Sequence, residues 1–424
     1  MRTKKLKLLK KLGKVYSTTG KTLEAIEKFK EALNYCETQE EKADIFTEIG
    51  TTYQRRSEYD KALYYLVKAI DALMGKPPCI ERANAYSEMS WVFYLIGRLE
   101  DALKYAQSAL DEINKIKEDE DVIIRRGRIY NVLASIYVRK GETEASHEYY
   151  MKALKEYEKV NYLRGMASIY NNLCGYYSSQ GDFEKAIESL KKSLQIDKEI
   201  GEALGEAISN YNLGEEYLEI NDLETAKKYF DEYQRINKEI HNRLGEGWAN
   251  EGYGIICRLK KDYKGAIKHF EEAIKIFQEV GSKIKECTAK SLLCKVYVEM
   301  GEYERAEKLL KEIEEYAKES EEMSLLSSVY ELHGDIALSK GDYEKASEFY
   351  SKVLEIVQKT NSMVEMPEIH YKIAKALEKI NEEEANYHKE CAKKTLLMIA
   401  SKFRNQEYKE KFLQKEINRE ILSA

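Results

Sequence analysis

The sequence predicts an all-α protein, an α-solenoid of about ten helix-turn-helix units. Three observations support this prediction. One residue pattern recurs about every 40 residues along almost the whole chain. The apolar and small residues of this pattern follow helical spacing on both sides of a turn. Pro is scarce, with 3 residues in 424, so the chain offers few of the linkers that separate a mosaic of domains.

Each predicted unit centres on a turn residue. From residue 141 onward these residues lie 40 positions apart, and the three earlier steps are 37, 40 and 44 residues. Most are Gly or Asn, which tolerate the left-handed conformation that ends a helix. Asp often follows the turn residue and can cap the next helix. The ten turn residues are Gly20, Ser57, Gly97, Gly141, Gly181, Asn221, Lys261, Gly301, Gly341 and Asn381.

The residues around each turn predict how the two helices pack. A small residue is common seven positions before the turn residue and an aromatic residue four before it. Ala is usual five positions after it, and a large residue nine after it. Small residues let helices approach closely, and large residues fill the gaps between layers. The recurring Tyr accounts for much of the chain's content of 33 Tyr. Because one helical pair cannot bury its apolar face alone, neighbouring units have to stack.

This pattern resembles the tetratricopeptide repeat (TPR) over roughly residues 6–395. The clearest units are LGKVYSTTGKTLEAIEKFKEA from Leu12 and NLGEEYLEINDLETAKKYF from Asn212. The period is 40 residues, longer than the usual 34 of this repeat. Long repeats of this kind are similar to those of the G-protein-signalling modulator, which EIHNRLGEGWANEGYG resembles, and of the Gram-positive peptide-receptor regulators. The resemblance implies a right-handed superhelical α-solenoid.

We expect two parts in the chain, a TPR solenoid over residues 1–395 and a C-terminal helical cap over residues 396–424. Within the cap, Glu407–Leu422 reads as a polar capping helix, as terminal repeats require. This tail is also similar to the ends of TPR regions in large bacterial signalling proteins that carry ATPase or kinase domains.

Composition excludes several classes of protein. The net charge of −6 gives no reason to expect a nucleic-acid surface. No stretch approaches the ~18 consecutive apolar residues of a membrane span, and the basic N-terminus lacks the apolar region of a signal peptide. The seven Cys are odd in number and irregularly spaced, which favours free thiols in the cytoplasm over a disulfide scaffold. The predicted protein is therefore cytoplasmic, with no nucleic-acid or membrane partner, and a homo-oligomer is compatible with the sequence.

Catalytic motifs are missing from the sequence. There is no GxxxxGK[ST] phosphate loop and no HExxH, and the six His are scattered along the chain. Cys287 and Cys294 lie seven residues apart without a His or Cys at ligand spacing, and buried free Cys usually packs as a small hydrophobe. We therefore expect no enzyme activity, no cofactor and no metal site.

The resemblance implies a ligand groove lined by the first helix of each unit. Asn is frequent at the implied contact positions of the central units, and each amide offers a donor and an acceptor to a peptide backbone. Alternatively, Asn merely tolerates a solvated concave face, and the Trp residues serve core packing. Cations lie toward the N-terminal part of this groove and acids toward the C-terminal part, which suggests a polar, oriented ligand. The candidate peptide- or partner-binding residues are Asn131, Asn171, Asn172, Asn212, Arg128, Tyr211, Trp248, Trp91, Tyr94, Glu215 and Glu251.

The leading functional hypothesis is a non-enzymatic TPR scaffold that binds a peptide or protein partner in its concave groove. One alternative is an intracellular sensor of a signalling peptide. Against it, the repeats begin near residue 6 and leave no room for the N-terminal output domain that such regulators carry. A second alternative is the sensor part of a larger bacterial signalling ATPase or kinase. A TPR fold by itself does not choose among these functions.

Overall fold

Left-handed turns divide the chain into helical hairpins. The computed structural model describes residues 2–320, 322–360 and 362–424, and all regular structure in these ranges is α-helical. They contain 22 helices, of which α1 to α20 form ten consecutive pairs. The predicted all-α solenoid is confirmed. None of the described helices is long and apolar enough to cross a membrane.

The chain divides into two compact units, one up to Ile169 and one from Tyr170 onward. Helix α9, Leu163–Ser179, contains this boundary. The helices before it are α1 Arg2–Thr18, α2 Thr22–Leu33, α3 Gln39–Arg55, α4 Tyr59–Ala72, α5 Ile80–Leu95, α6 Leu99–Ile113, α7 Glu120–Arg139 and α8 Thr143–Lys159. The helices after it are α10 Phe183–Ile200, α11 Ala203–Glu219, α12 Leu223–Glu239, α13 Arg243–Leu259, α14 Tyr263–Glu279, α15 Lys283–Glu299, α16 Tyr303–Glu319, α17 Met323–Ser339, α18 Tyr343–Thr360, α19 Met366–Leu377, α20 Glu382–Ala400, α21 Gln406–Leu413 and α22 Glu416–Ser423.

The predicted turn residues adopt the left-handed conformation in nine of the ten helical pairs. Their φ angles run from 59° at Ser57 to 80° at Gly20. Lys261, with φ 60°, shows that the position does not require Gly or Asn. The tenth, Asn381, has φ −151° and instead caps α20, accepting a hydrogen bond from the Glu384 amide. Turns between successive helical pairs form a second left-handed series that the sequence pattern did not reveal: Asn161, Gly201, His241 and Gly281.

Acidic residues after the turns cap the second helices, as predicted. The side chain of Asp182 accepts from the Lys185 amide, and that of Asp222 accepts from the Thr225 amide. The Asp262 carboxylate accepts from the Gly265 amide at 3.0 Å. These bonds satisfy a backbone donor that the first turn of a helix leaves open.

In five of the ten pairs, a Gly of the first helix, seven positions before the turn residue, lies against the large residue nine positions after it in the second. A Cβ placed on Gly214 would lie 2.6 Å from a Phe230 ring atom, and one on Gly254 would lie 2.5 Å from Phe270. The same contact recurs for Gly13 with Phe29, Gly50 with Leu66 and Gly334 with Tyr350. The predicted Ala five residues after the turn is fully buried, from Ala25 in the first pair to Ala346 in the ninth.

Aromatic stacks join the first helix of a pair to the second. Tyr137 stacks on Tyr149 at 5.4 Å between ring centroids, and Tyr217 stacks on Tyr229 at the same distance. The stack recurs in α3 with α4, where Tyr53 meets Tyr65, and in α5 with α6. Tyr therefore serves mainly as packing between helices, as the recurring pattern predicts.

The C-terminal segment packs back onto repeats about two hundred residues earlier in the same unit. The structure divides the stretch expected to be one polar helix into α21 and α22, with a break before Glu416. Phe412 is buried, with its ring centroid 5.8 Å from that of Phe183 in α10. Ion pairs join Lys411 to Asp222 at 2.8 Å and Lys261 to Glu416 at 2.9 Å. This segment therefore joins the turns that begin α10, α12 and α14 to the end of the chain.

Candidate functional site

The unit up to Ile169 contains an open groove of about 770 Å³. Its wall consists of first helices, α1, α3, α5 and α7, with one residue from the turn before α9. We call it the Trp91 groove and define it by Lys10, Lys14, Ser17, Asp44, Glu48, Thr51, Arg55, Asn84, Glu88, Trp91, Asp121, Arg125, Arg128, Asn131 and Tyr162. Three of the predicted binding residues, Trp91, Arg128 and Asn131, thus lie in one groove.

The charges of the Trp91 groove are only partly paired. Lys14 makes an ion pair with Glu48 at 2.6 Å, and Lys10 makes one with Asp44. In the described part of the chain, Arg55 and Arg128 have no carboxylate within 4.0 Å. Arg55 Nη1 donates to the Ser17 hydroxyl at 3.4 Å, and Arg128 Nη2 donates to the Tyr162 hydroxyl at 3.3 Å. Two guanidinium groups therefore remain available for an acidic ligand group.

Glu88 faces these two guanidinium groups from α5. Burial raises the pKa of its carboxyl, and the neighbouring Glu48 raises it further. Arg128, Thr51 and Arg55 act in the opposite direction without forming an ion pair with it. The groove thus combines two unpaired cations with one carboxylate that is costly to ionise.

Trp91 and Tyr94 form an aromatic stack at the edge of the groove. Their ring centroids are 4.8 Å apart and their planes differ by 17°. Tyr94 is not among the residues that line the groove, and the Arg139 guanidinium lies 5.3 Å from its ring centroid. Tyr94 therefore fixes the orientation of Trp91, which presents a half-buried ring to the groove.

The other predicted Asn residues lie in the unit from Tyr170 onward. Asn212 Nδ2 donates to Asn171 Oδ1 at 2.9 Å, so these two amides bond to each other. Asn171, Asn172 and Asn212 are all half-buried on first helices. In the predicted array of Asn side chains, one hydrogen-bond donor of Asn212 and one acceptor of Asn171 are therefore already used within the protein.

A second polar group lies on the first helices α11, α13 and α15 of the same unit. We call it the Trp248 cluster and define it by Tyr211, Glu215, Trp248, Glu251 and Lys285. The Tyr211 and Trp248 ring centroids are 5.6 Å apart, and Lys285 Nζ lies 4.8 Å from the centre of the Trp248 ring. Glu251 is 5% exposed, whereas Glu215 is exposed. Four of the five residues were predicted from the sequence.

The protein environment makes both carboxyls of the Trp248 cluster hard to ionise. Burial raises the pKa of Glu251 to about 8, partly offset by the charge of Lys285 and reinforced by Glu215. The surrounding protein also raises the pKa of Glu215 to about 7, although the Tyr211 hydroxyl and Lys285 favour its ionised form. A cation that came close to these groups would favour their ionised forms.

Lys285 and Glu88 are two of the residues of these sites that sequence reasoning missed. Lys285 stands 40 residues after Gly245 and 80 after Gly205, so a Lys interrupts a run of Gly at one repeat position. Glu88 lies nine residues before its turn residue, the position that Asn172 holds in its own unit. For Lys285 the signal was a departure from the repeated Gly, whereas nothing in the repeat marked Glu88, because its position varies from unit to unit.

The family model of the MalT-like TPR region matches residues 127–386, and a tetratricopeptide-repeat model matches residues 41–111. A search of curated proteins gives no match.

Solved structures with the same fold include a Rap protein complexed with competence and sporulation factor, with a TM-score of 0.64 and 14% identity over 86% of this chain and 100% of that one. Aspartyl phosphate phosphatase F from Bacillus subtilis has a TM-score of 0.55 and 15% identity over 87% and 95% of the two chains. A signal transduction ATPase with a TPR sensor from Pyrococcus horikoshii has a TM-score of 0.52 and 19% identity over 78% and 52%. At these identities the likeness shows the fold alone.

Proposed function

The chain belongs to the MalT-like TPR family, and we propose that it is a non-enzymatic scaffold that binds a peptide segment of a partner in the Trp91 groove. Its repeats support a role in protein–protein interaction or peptide sensing. The observation that carries the finer proposal is the 770 Å³ groove, which combines an aromatic ring with two unpaired guanidinium groups. Grooves with a few placed polar groups and an aromatic anchor are typical binding sites.

The charges of the groove favour a ligand with an acidic group. Arg55 and Arg128 lie on α3 and α7, on either side of Glu88, and both are open to a carboxylate. An Arg–carboxylate pair gives geometric specificity as well as binding energy. Trp91 would pack against an apolar side chain of the same segment. No residue of this groove is assigned a chemical step, so the proposed role is binding alone.

The test is capture of partners from the source cell, followed by a variant series. Trp91→Ala and Arg128→Ala should each weaken binding of the captured partner by tenfold or more, on the order of 1.4 kcal/mol. Tyr64→Ala is the matched control, because Tyr64 is an exposed aromatic residue in the same unit outside the groove. Full affinity in both groove variants would refute the groove as the binding site.

The nature of the captured ligand decides between the two candidate roles. A stable protein partner supports the scaffold. A short peptide that binds without a stable protein supports the signalling-peptide sensor. That second role is consistent with the Rap protein described above, whose structure contains competence and sporulation factor. The sensor part of a larger signalling ATPase is a further candidate, consistent with the Pyrococcus horikoshii protein and its TPR sensor. The free cysteines in the described residues are consistent with a cytoplasmic location.

A further inference from the structure

Two polar groups of the Trp248 cluster are buried without a hydrogen-bond partner. They are the indole Nε1 of Trp248 and the Oε1 oxygen of Glu251, and no described residue bonds to either. Buried polar groups are nearly always paired in folded proteins. Here an open donor and an open acceptor lie three residues apart on α13, on one face of the helix. These two atoms therefore fit an external ligand that accepts a hydrogen bond from the indole Nε1 and donates one to the Glu251 carboxylate.

Lys285 does not supply that group. Its Nζ lies 4.8 Å from the centre of the Trp248 ring, and it makes no ion pair within 4.0 Å of any described carboxylate. The Lys285 side chain is half-buried, so rotation can move it toward solvent. The ring face that it covers can then receive another cation.

The cluster is partly accessible to solvent. Glu215 is exposed on α11, and Tyr211 and Trp248 are half-buried beside it. The two rings form an aromatic wall, and the two carboxyls come from neighbouring first helices. Aromatic faces and carboxylates together match a planar cation better than a compact ammonium group.

We propose that the Trp248 cluster binds an arginine side chain of a peptide ligand. The guanidinium group pairs with the Glu251 carboxylate, with Glu215 beside it, and stacks on Trp248 in the place of Lys285. The indole Nε1 donates to a carbonyl oxygen of the peptide backbone. This site goes beyond the Trp91 groove and does not depend on it, because all its residues belong to the other unit.

Binding at this site is linked to pH. The groups that face Glu251 are Glu215 and Tyr211 from α11, Tyr233 from α12 and Lys285 from α15. Because burial raises the pKa of Glu251 to about 8, this carboxyl is largely protonated at neutral pH and loses its proton when the guanidinium binds. Affinity should therefore rise from pH 6 to pH 9 and level off above the pKa.

Indole fluorescence provides a direct assay. The chain has 2 Trp, so Trp91→Phe leaves Trp248 as the only indole. The probe is an acetylated and amidated five-residue peptide with one central arginine among alanines. The controls are the same peptide with citrulline, the neutral isostere of arginine, and agmatine, a guanidine without a peptide carbonyl. We expect saturable binding of the arginine peptide and weaker binding of both controls.

Variants of the cluster test the assignment. Glu251→Gln should weaken arginine-peptide binding by about tenfold or more, as loss of a charge-assisted hydrogen bond implies. It should also reduce the pH dependence of binding to the part that Glu215 contributes. Lys285→Met should strengthen it, an effect that a purely structural role of Lys285 would not produce. Circular dichroism checks that each variant is folded.

Several results would overturn the proposal. They are equal binding of the arginine and citrulline peptides, unchanged affinity in Glu251→Gln, and no fluorescence change up to about 10 mM peptide. Agmatine binding as tightly as the peptide would assign the site to free guanidines and overturn the peptide ligand. Glu355→Gln serves as the matched control, since this exposed carboxyl on α18 lies outside the cluster and should leave the binding unchanged. The effect of Arg128→Ala on the captured partner tests the Trp91 groove separately.

Discussion

Replacing Gly254 with Ala tests whether the close helix contact in each repeat limits stability. A Cβ on Gly254 would lie 2.5, 2.8 and 2.8 Å from three atoms of the Phe270 ring. Carbon atoms pack best at about 3.5–4.0 Å, so the ring has to move by roughly 1 Å. Phe270 is fully buried, and the ring has no space to move into without disturbing its neighbours. Overpacking of this kind costs about 1–3 kcal/mol, whereas Ala gains ~1 kcal/mol over Gly in a helix.

Gly175 provides the matched control. It lies inside α9, is exposed, and has no neighbouring atom within 4 Å of the position that a Cβ would take. Gly175→Ala should therefore stabilise the protein by about 0.5–1 kcal/mol through helix propensity alone. Subtracting the change in unfolding free energy of Gly175→Ala from that of Gly254→Ala cancels the helix-propensity contribution and leaves the packing cost of about 1–3 kcal/mol.

Urea unfolding followed by circular dichroism measures this difference, with thermal melting as a second measurement. Each kcal/mol should lower the melting midpoint by about 2–4 °C for a unit of this size. Hydrogen exchange of the α13 and α14 amides locates the effect. In a Phe270→Leu background the penalty of Gly254→Ala should largely disappear, because the smaller side chain makes room for the added methyl group. Equal stabilisation by Gly254→Ala and Gly175→Ala would refute the packing argument.

Three further predictions concern a helix cap, a buried carboxyl and the C-terminal segment. Asp262→Ala should lower the free energy of unfolding by about 1 kcal/mol, since it removes the bond to the Gly265 amide, whereas Asp262→Asn should retain most of it; thermal melting compares the two. Burial raises the pKa of Glu216 to about 8. The folded state therefore holds a proton that the unfolded chain releases above the ordinary pKa near 4.5, and the free energy of unfolding falls as the pH rises from about 5 to 8. Glu216→Gln should therefore stabilise the protein at pH 8 and change it little at pH 4, and urea titrations at both pH values would contradict this if the two effects were equal. Phe412→Ala should lower the free energy of unfolding by about 3–5 kcal/mol and speed hydrogen exchange in α10, because it empties the buried position beside Phe183. Unchanged exchange in α10 would argue against the docking contact.

Much of the fold could be predicted because its determinants are local and repeated. Gly254 and Phe270 stand at fixed distances from Lys261, and the same spacing recurs in other units. The left-handed turns at Asn161, Gly201, His241 and Gly281 were not predicted, because only one turn residue was assigned to each repeat and these four lie 20 residues after it.

Docking of the C-terminal segment could not be read from the sequence for a different reason. Phe403, Phe412 and Ile421 are scattered apolar residues in a polar stretch, and no local pattern indicates a surface about two hundred residues earlier. Their position depends on the accumulated rotation of many repeats, a long-range property.

The candidate sites were predictable to a similar degree. Repeat position brought Trp91, Arg128 and Asn131 to one groove, since first helices line it. The bond between Asn171 and Asn212 and the stacking of Tyr94 behind Trp91 depend on side-chain geometry, which repeat position does not specify. Lys285 belongs to the same class, because its role arises from the Trp248 ring it covers.

The docked C-terminal segment changes how the unit from Tyr170 onward can unfold. In an open array each repeat contacts only its neighbours, so unfolding can spread inward from an end one repeat at a time. Here the Phe412 contact and the Lys411–Asp222 ion pair tie the last helices to α10 and α12. Fraying of the chain end therefore also removes contacts from repeats in the first part of the unit. We therefore expect the docked segment to make this unit unfold more cooperatively than an open array and to oppose a change in spacing between the repeats it joins.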